Sequence, residues 1–132
     1  MCQVGAGESL LRSPEKLCRQ DEAATATSAT VSVKVRTEVA GVDLPALAPK
    51  LERAGADAIH VDAMDSESVV ADVVDACGCY VIANNGVRDA ESVHEYLGYG
   101  ADAVSVGRAS DDPDVLAAVR RATDDWSREA TP

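Results

Sequence analysis

Gly55-Ala-Asp-Ala-Ile-His-Val61 and Gly100-Ala-Asp-Ala-Val-Ser-Val106 are nearly the same seven-residue phrase written twice, 45 residues apart. Each begins with a glycine suited to ending a helix and runs through a short turn into residues that suit a buried strand. Two further runs of strand character, Val31-Ser-Val-Lys-Val35 and Tyr80-Val-Ile-Ala83, interleave with Ala58-Ile-His-Val61 and Ala103-Val-Ser-Val106. Their centres lie about 22 to 26 residues apart, the length of one strand, one helix and two short loops. The class is therefore α/β with parallel strands, and a two-unit echo predicts part of a (βα)8 TIM barrel rather than an open doubly wound sheet. A whole barrel needs roughly 200–250 residues, and this chain has 132 in 13.7 kDa. The expectation is one domain over 1–132 with about four parallel βα units preceded by one helix, leaving two sheet edges and an inner face to be covered.

Local signals mark the helices. Ser66 is placed to cap a helix running to Ala76, Asp89 one to Leu97, and Asp112-Pro113 one toward Trp126. Gly55, Gly78 and Gly98 stand where helices should stop. Between the first two strands Asp43 can cap a helix, although Pro49 falls inside it and removes a hydrogen bond. An earlier helix opens near Ser13-Pro14 and gives way to a small-residue connector over 24–29, and 127–132 reads as a frayed tail.

Charge is the loudest compositional feature: 23 Asp plus Glu against 12 Lys plus Arg give a net charge of -11. Only Lys16, Lys34 and Lys50 are lysines, and the acids are spread along the chain. This pattern suits a salt-rich, haloarchaeal-like cytoplasm, with an ordinary acidic domain as the alternative. At about 1 M salt the screening length is only ~3 Å, so acidity there reports habitat rather than excluding an RNA partner. No apolar run is long enough for a membrane span, and no secretory leader opens the chain. Cys2, Cys18, Cys77 and Cys79 lack the spacing of a metal site and read as free thiols.

In parallel βα folds ligands meet the C-terminal ends of the strands. Those ends read Lys34-Val-Arg36, Val61-Asp62-Ala-Met-Asp65, Ala83-Asn84-Asn85-Gly86 and Val106-Gly107-Arg108-Ala109. A glycine after a strand lets backbone amides approach an oxyanion, and Asn or Arg beside it adds a directed donor. Asn84-Asn85-Gly86 and Gly107-Arg108 thus form a candidate phosphate cradle. The plainer reading is that Gly86, Gly107 and the asparagines only make turns. Lys34 alternates with Val33 and Val35 inside an apolar strand, which suggests a working cation, because an unpaired buried ammonium is costly. His60 and Asp62 share a face, whereas His94 falls on a helix surface.

The stretches Gly5-Ala-Gly7-Glu-Ser-Leu-Leu-Arg-Ser-Pro-Glu15, Val31-Ser-Val-Lys-Val-Arg36, Ala54-Gly-Ala-Asp-Ala58, Val81-Ile-Ala-Asn-Asn-Gly86 and Gly100-Ala-Asp-Ala-Val-Ser-Val-Gly-Arg-Ala109 resemble, in order, the C-terminal half of the tRNA-dihydrouridine synthases. That resemblance implies an FMN-dependent barrel that reduces uridine in tRNA, with NAD(P)H as reductant of the flavin. It implies that Lys34 reaches the flavin ring and that Asn84, Asn85, Gly86, Gly107 and Arg108 grip its phosphate. Asp62 falls where the family usually has a histidine, so it would accept rather than donate a hydrogen bond. The family's catalytic cysteine lies upstream of Gly-Ala-Gly, further than Cys2, which implies a truncated form and puts activity of this chain by itself in question. The catalytic residue of this chain is therefore left unassigned. Dihydroorotate dehydrogenase-like barrels share the last two motifs, and a non-catalytic remnant is a third reading. Edges left open by four strands would be covered by a second copy of the chain or by a separate N-terminal half.

Overall fold

The computed structural model describes residues 2–5 and 8–130. Ala6 and Gly7 of the Gly-Ala-Gly motif, and Thr131 and Pro132 of the expected tail, lie outside the described residues. The elements run β1 (Cys2–Gly5), α1 (Glu8–Leu11), α2 (Pro14–Thr25), β2 (Val31–Arg36), α3 (Leu44–Arg53), β3 (Ala58–Asp62), α4 (Val69–Ala76), β4 (Tyr80–Asn84), α5 (Ala90–Gly98), β5 (Ala103–Ser105) and α6 (Pro113–Ala130). The strands form one parallel sheet in the order β1-β2-β3-β4-β5. Each crossover moves one place in the same direction, so the helices gather on one face and the order never reverses as it does in a doubly wound sheet. This is part of a (βα)8 barrel, as the echo predicted.

Alternation divides the strands between two faces. Val31, Val33 and Val35 of β2, Ile59 and Val61 of β3, and Val81 and Ala83 of β4 are buried in one core with Leu44, Leu47 and Leu51 of α3, Val70 and Val73 of α4, and Val93, Tyr96 and Leu97 of α5. The opposite, barrel-interior face carries Ser32, Lys34 and Arg36, then Ala58, His60 and Asp62, then Tyr80, Ile82 and Asn84, then Ala103 and Ser105.

The repeated phrase turns out to be a corner. Gly55 and Gly100 both have left-handed backbones, with φ of 110° and 100°. Each closes a helix: Gly55 N donates to Glu52 O and Ala56 N to Leu51 O, and Gly100 N donates to Leu97 O and Ala101 N to Tyr96 O. The aspartate two residues on then clamps the neighbouring strand. Asp57 N donates to Val31 O at 2.9 Å while its Oδ2 accepts from Val31 N at 2.8 Å. Asp102 makes the same pair with Val81, at 2.9 Å in both bonds.

Several local expectations are corrected. A fifth strand, β1, precedes the four expected; with four residues and a single β-branched side chain it carries little signal. The single leading helix is two, α1 and α2, parted where Pro14 opens α2. Ser66 does not cap α4; its hydroxyl donates to Glu38 Oε2, and the helix begins at Val69. Gly98 ends α5 but Gly100 provides the left-handed stop. α6 continues through 127–130 because no glycine or proline interrupts it there. Asp89 caps α5 in a reciprocal box with Ser92, whose backbone and hydroxyl hold the Asp89 carboxyl below its usual range. Asp43 caps α3 through Ala46 N, and α3 runs through Pro49 unbroken. Cys18, inside α2, and Cys77 and Cys79, between α4 and β4, are half-buried free thiols. Among the described residues no helix is long and apolar enough to cross a membrane.

Two predictions follow from the corners and the core. Gly55→Ala would force its Cβ to within 2.4 Å of the Thr25 side chain at a left-handed φ. It should cost roughly 1–3 kcal/mol in urea unfolding, whereas Gly98→Ala, with open space around it, should be neutral or slightly stabilising. Asp21 on α2 is 0% exposed and neither carboxylate oxygen has a hydrogen-bond partner. Burial pushes it up to about 6 from 3.8, with the charges of Asp57 and Glu22 adding to the rise. Its folded pKa is raised, so the fold favours the protonated form and pays for ionisation as pH rises through that window. Asp21→Asn should therefore stabilise the protein at pH 7.5 by roughly 2–3 kcal/mol. The gain over the parent should shrink as thermal unfolding is repeated toward pH 5; a pH-independent difference would contradict it.

Candidate functional site

The strand register stacks the inner face into layers. The layer nearest the C-terminal ends is Arg36, Asp62, Asn84 and Ser105, and the next one down is Gly5, Lys34, His60, Ile82 and Ala103. Both layers hold polar side chains where a closed core would hold branched aliphatics. His60 reaches diagonally past β4, its Nε2 lying 2.8 Å from Ser105 Oγ. These two residues occupy equivalent places in the 45-residue echo. Burial lowers the His60 pKa, Lys34 lowers it further, and Asp62 acts in the opposite sense.

Above the strands, three successive loops are tied together. Thr37 Oγ1 donates to Ala63 O at 2.6 Å and Thr37 N to Asp62 O at 2.9 Å. Glu38 Oε2 accepts from Asp65 N and from Ser66 Oγ, Ala63 N donates to Asn84 O, and Asn85 Nδ2 donates to Met64 O. Each loop contains a non-glycine residue with positive φ: Glu38 at 63°, Met64 at 49° and Asn85 at 107°. These are the only such residues among those described, and all three sit at the end of the sheet where parallel βα folds bind ligands.

A cavity of about 570 Å³ opens over this end. Asp62, Met64 and Asp65 line it from the loop after β3, Asn84 to Arg88 from the loop after β4, and Gly107 to Ala109 from the loop after β5. The carboxylates thus come from the β3 side and the guanidiniums of Arg88 and Arg108 from the β4 and β5 side. Asp62 Oδ1 accepts from Met64 N at 3.2 Å, which keeps that carboxylate facing its own loop. Gly107 leaves room beside Asn84: a Cβ there would lie 3.6 Å from Asn84 Oδ1.

Six of the seven residues singled out from sequence, Asp62, Asn84, Asn85, Gly86, Gly107 and Arg108, come together around this cavity. Lys34 does not line it. Nor is it buried, as its place in an apolar strand suggested: the interior face is open in this chain, and Lys34 is exposed one layer below the strand ends. Arg88 was missed, although a cation two residues after Gly86 was a readable signal. Thr37, Glu38, Met64 and Tyr96 were also missed, and their roles arise from cross-loop bonds that no local pattern reveals. His94 is exposed as expected, with its ring 5.7 Å from that of Trp126.

Residues 2–132 match the family model described as dihydrouridine synthase (Dus). The chain belongs to the dihydrouridine synthase family. No curated protein matches it. Among solved structures this chain is similar to one in the crystal structure of the Amycolatopsis orientalis BexX/CysO complex, with 19% identity and a TM-score of 0.65 over 90% of this chain and 52% of that one. FabK from Thermotoga maritima gives 24% identity and a TM-score of 0.57 over 80% of this chain and 32% of that one. A point mutant of the same FabK gives 20% and 0.58, covering 80% and 42%. At these identities the likeness shows the fold alone, and the chain spans about half or less of each of these three solved chains.

The electrostatics of the inner face can be tested directly. An NMR titration should place the His60 midpoint below 6.5. Lys34→Met should raise it and Asp62→Asn should lower it further. Because the folded pKa is depressed, the stability linked to His60 is present above the unfolded value and is lost as pH falls through the folded one. A midpoint indifferent to both substitutions would break the proposed coupling.

Proposed function

We propose that this chain is the cofactor-gripping part of a dihydrouridine synthase-like flavoprotein that reduces uridine in tRNA, with NAD(P)H re-reducing the flavin. The observation that carries the reading is the convergence of the loops after β3, β4 and β5 on one cavity lined by Asn84, Asn85, Gly86, Gly107 and Arg108. Those residues fit the phosphate of FMN. Two glycines leave the backbone approachable, and Arg108, with Arg88 beside it, supplies cationic donors. Lys34 and His60 lie on the interior face below, where the flavin ring would extend from its phosphate. FMN, when bound, would supply hydride transfer. The chain's own contribution is to hold the phosphate, to set a cation and a neutral imidazole near the ring, and to accept a donor at Asp62.

A barrel of this type has eight strands, and five lie among the described residues. Two copies would bring ten, so an N-terminal half with three strands suits the count better than a homodimer. The excess of 23 acids over 12 basic residues supports a salt-rich cytoplasm as the working environment. A second reading, another FMN or phosphate-binding oxidoreductase acting on a small metabolite, is favoured by Asp62 and Asp65 in the cavity, whose charge opposes an RNA backbone.

The test is to incubate the folded chain with FMN in concentrated KCl, desalt it, and read retained flavin absorbance. The parent should retain flavin. Arg108→Ala should weaken binding about 10- to 100-fold, as expected for loss of a charge-assisted contact, and Lys34→Ala should weaken it less. A chain folded by circular dichroism that keeps no flavin would sink the reading. Oxidation of the reduced flavin by a small pyrimidine but not by tRNA would favour the second.

A further inference from the structure

Tyr96 of α5 is 1% exposed, yet its hydroxyl is used: it donates to Asn85 O at 2.7 Å. The carbonyl of Asn85 and the amide of Gly86 belong to one peptide unit. In a planar trans peptide these two groups point in opposite directions. With the carbonyl held against α5, the Gly86 N–H is turned away from α5. The other end of Asn85 is held as well, because its Nδ2 donates to Met64 O in the neighbouring loop. Residue 85 is thus pinned from two sides at φ 107°, a conformation that a non-glycine residue rarely adopts and that must be over-determined to persist. The pinned unit is the wall of the cavity that contains Asn84 and Gly86.

We propose that Tyr96 is a positioning residue for anion binding: through its hydrogen bond to the Asn85 carbonyl it presets the Gly86 amide toward an oxyanion in the cavity. This rests on the reading of that cavity as a phosphate site. Tyr96 touches no ligand; it acts through the peptide it orients. The phenol suits a permanent donor, since burial, with Glu67, Glu95 and Asp62 adding to it, raises its pKa well above the ordinary tyrosine range. Without the hydroxyl, the Asn85 carbonyl would lose this partner and the 85–86 peptide one of its two anchors, so the anion would have to order the loop as it bound.

The probe is inorganic phosphate, followed by amide NMR of the parent and of Tyr96→Phe, which keeps the ring in the core. In the parent, phosphate should shift the Gly86 and Gly107 amides. In Tyr96→Phe the free protein should show faster exchange at Gly86 with the Gly107 amide unchanged, and phosphate affinity should fall about tenfold. Asn85→Gly, which accepts the left-handed backbone but loses the Met64 anchor, should fall between the two. Equal phosphate affinity in the parent and Tyr96→Phe overturns the positioning role and leaves the phosphate site standing. Absence of any phosphate-dependent shift in the parent overturns the phosphate site and the positioning role with it. Amide changes spread through the whole core of Tyr96→Phe would make the residue structural and also overturn the proposal.

Discussion

The two-point clamps between Asp57 and Val31 and between Asp102 and Val81 govern most of what this molecule can do. In each, one aspartate binds both polar groups of the first or second residue of the preceding strand, directly after a left-handed glycine has ended the helix. Register in a parallel sheet has a period of two, so a slip of one residue would send Val31, Val33 and Val35 to the interior and Lys34 to the core. The clamps, supported by the buried valines behind them, hold β2 against β3 and β4 against β5 in the one alignment that lays Arg36, Asp62, Asn84 and Ser105 in a single layer.

From that layer upward, the chain uses strain and hydrogen bonding where the sheet below uses apolar burial. Glu38, Met64 and Asn85 hold backbone conformations that side chains disfavour, and each lies in a loop bonded to its neighbour. The links run in chain order from the loop after β2 to the one after β3 and on to the one after β4. Together they make a preorganised rim, which reduces the ordering cost of binding a ligand. Beneath the rim, the polar side chains of Lys34 and His60 take places that a filled barrel core would give to aliphatics. This distribution of rigid rim and open polar floor is the physical basis for reading the site as a flavin grip.

Much of this was legible without coordinates. The repeated Gly-Ala-Asp phrase announced helix stop, turn and strand because each residue type has a local reason to be there. The strand ends named the cavity's main lining because the fold class dictates where ligands sit. β1 was not legible, since four residues with one β-branched side chain form a strand only when β2 offers a ladder to pair with. The clamping role of Asp57 and Asp102 was also invisible, because the partner amides lie 26 and 21 residues away.

What the sequence by itself determined was the class, the strand periodicity and the identity of most cavity residues, for these depend on local preference and alternation along one chain. The tertiary structure alone decided which of them meet. It left Lys34 exposed on an open interior face, joined His60 to Ser105 across an intervening strand, and brought Tyr96 under the Asn85 peptide. Those contacts depend on the register of the strands and on the helices packed behind them, which set distances between residues that no spacing along the chain encodes.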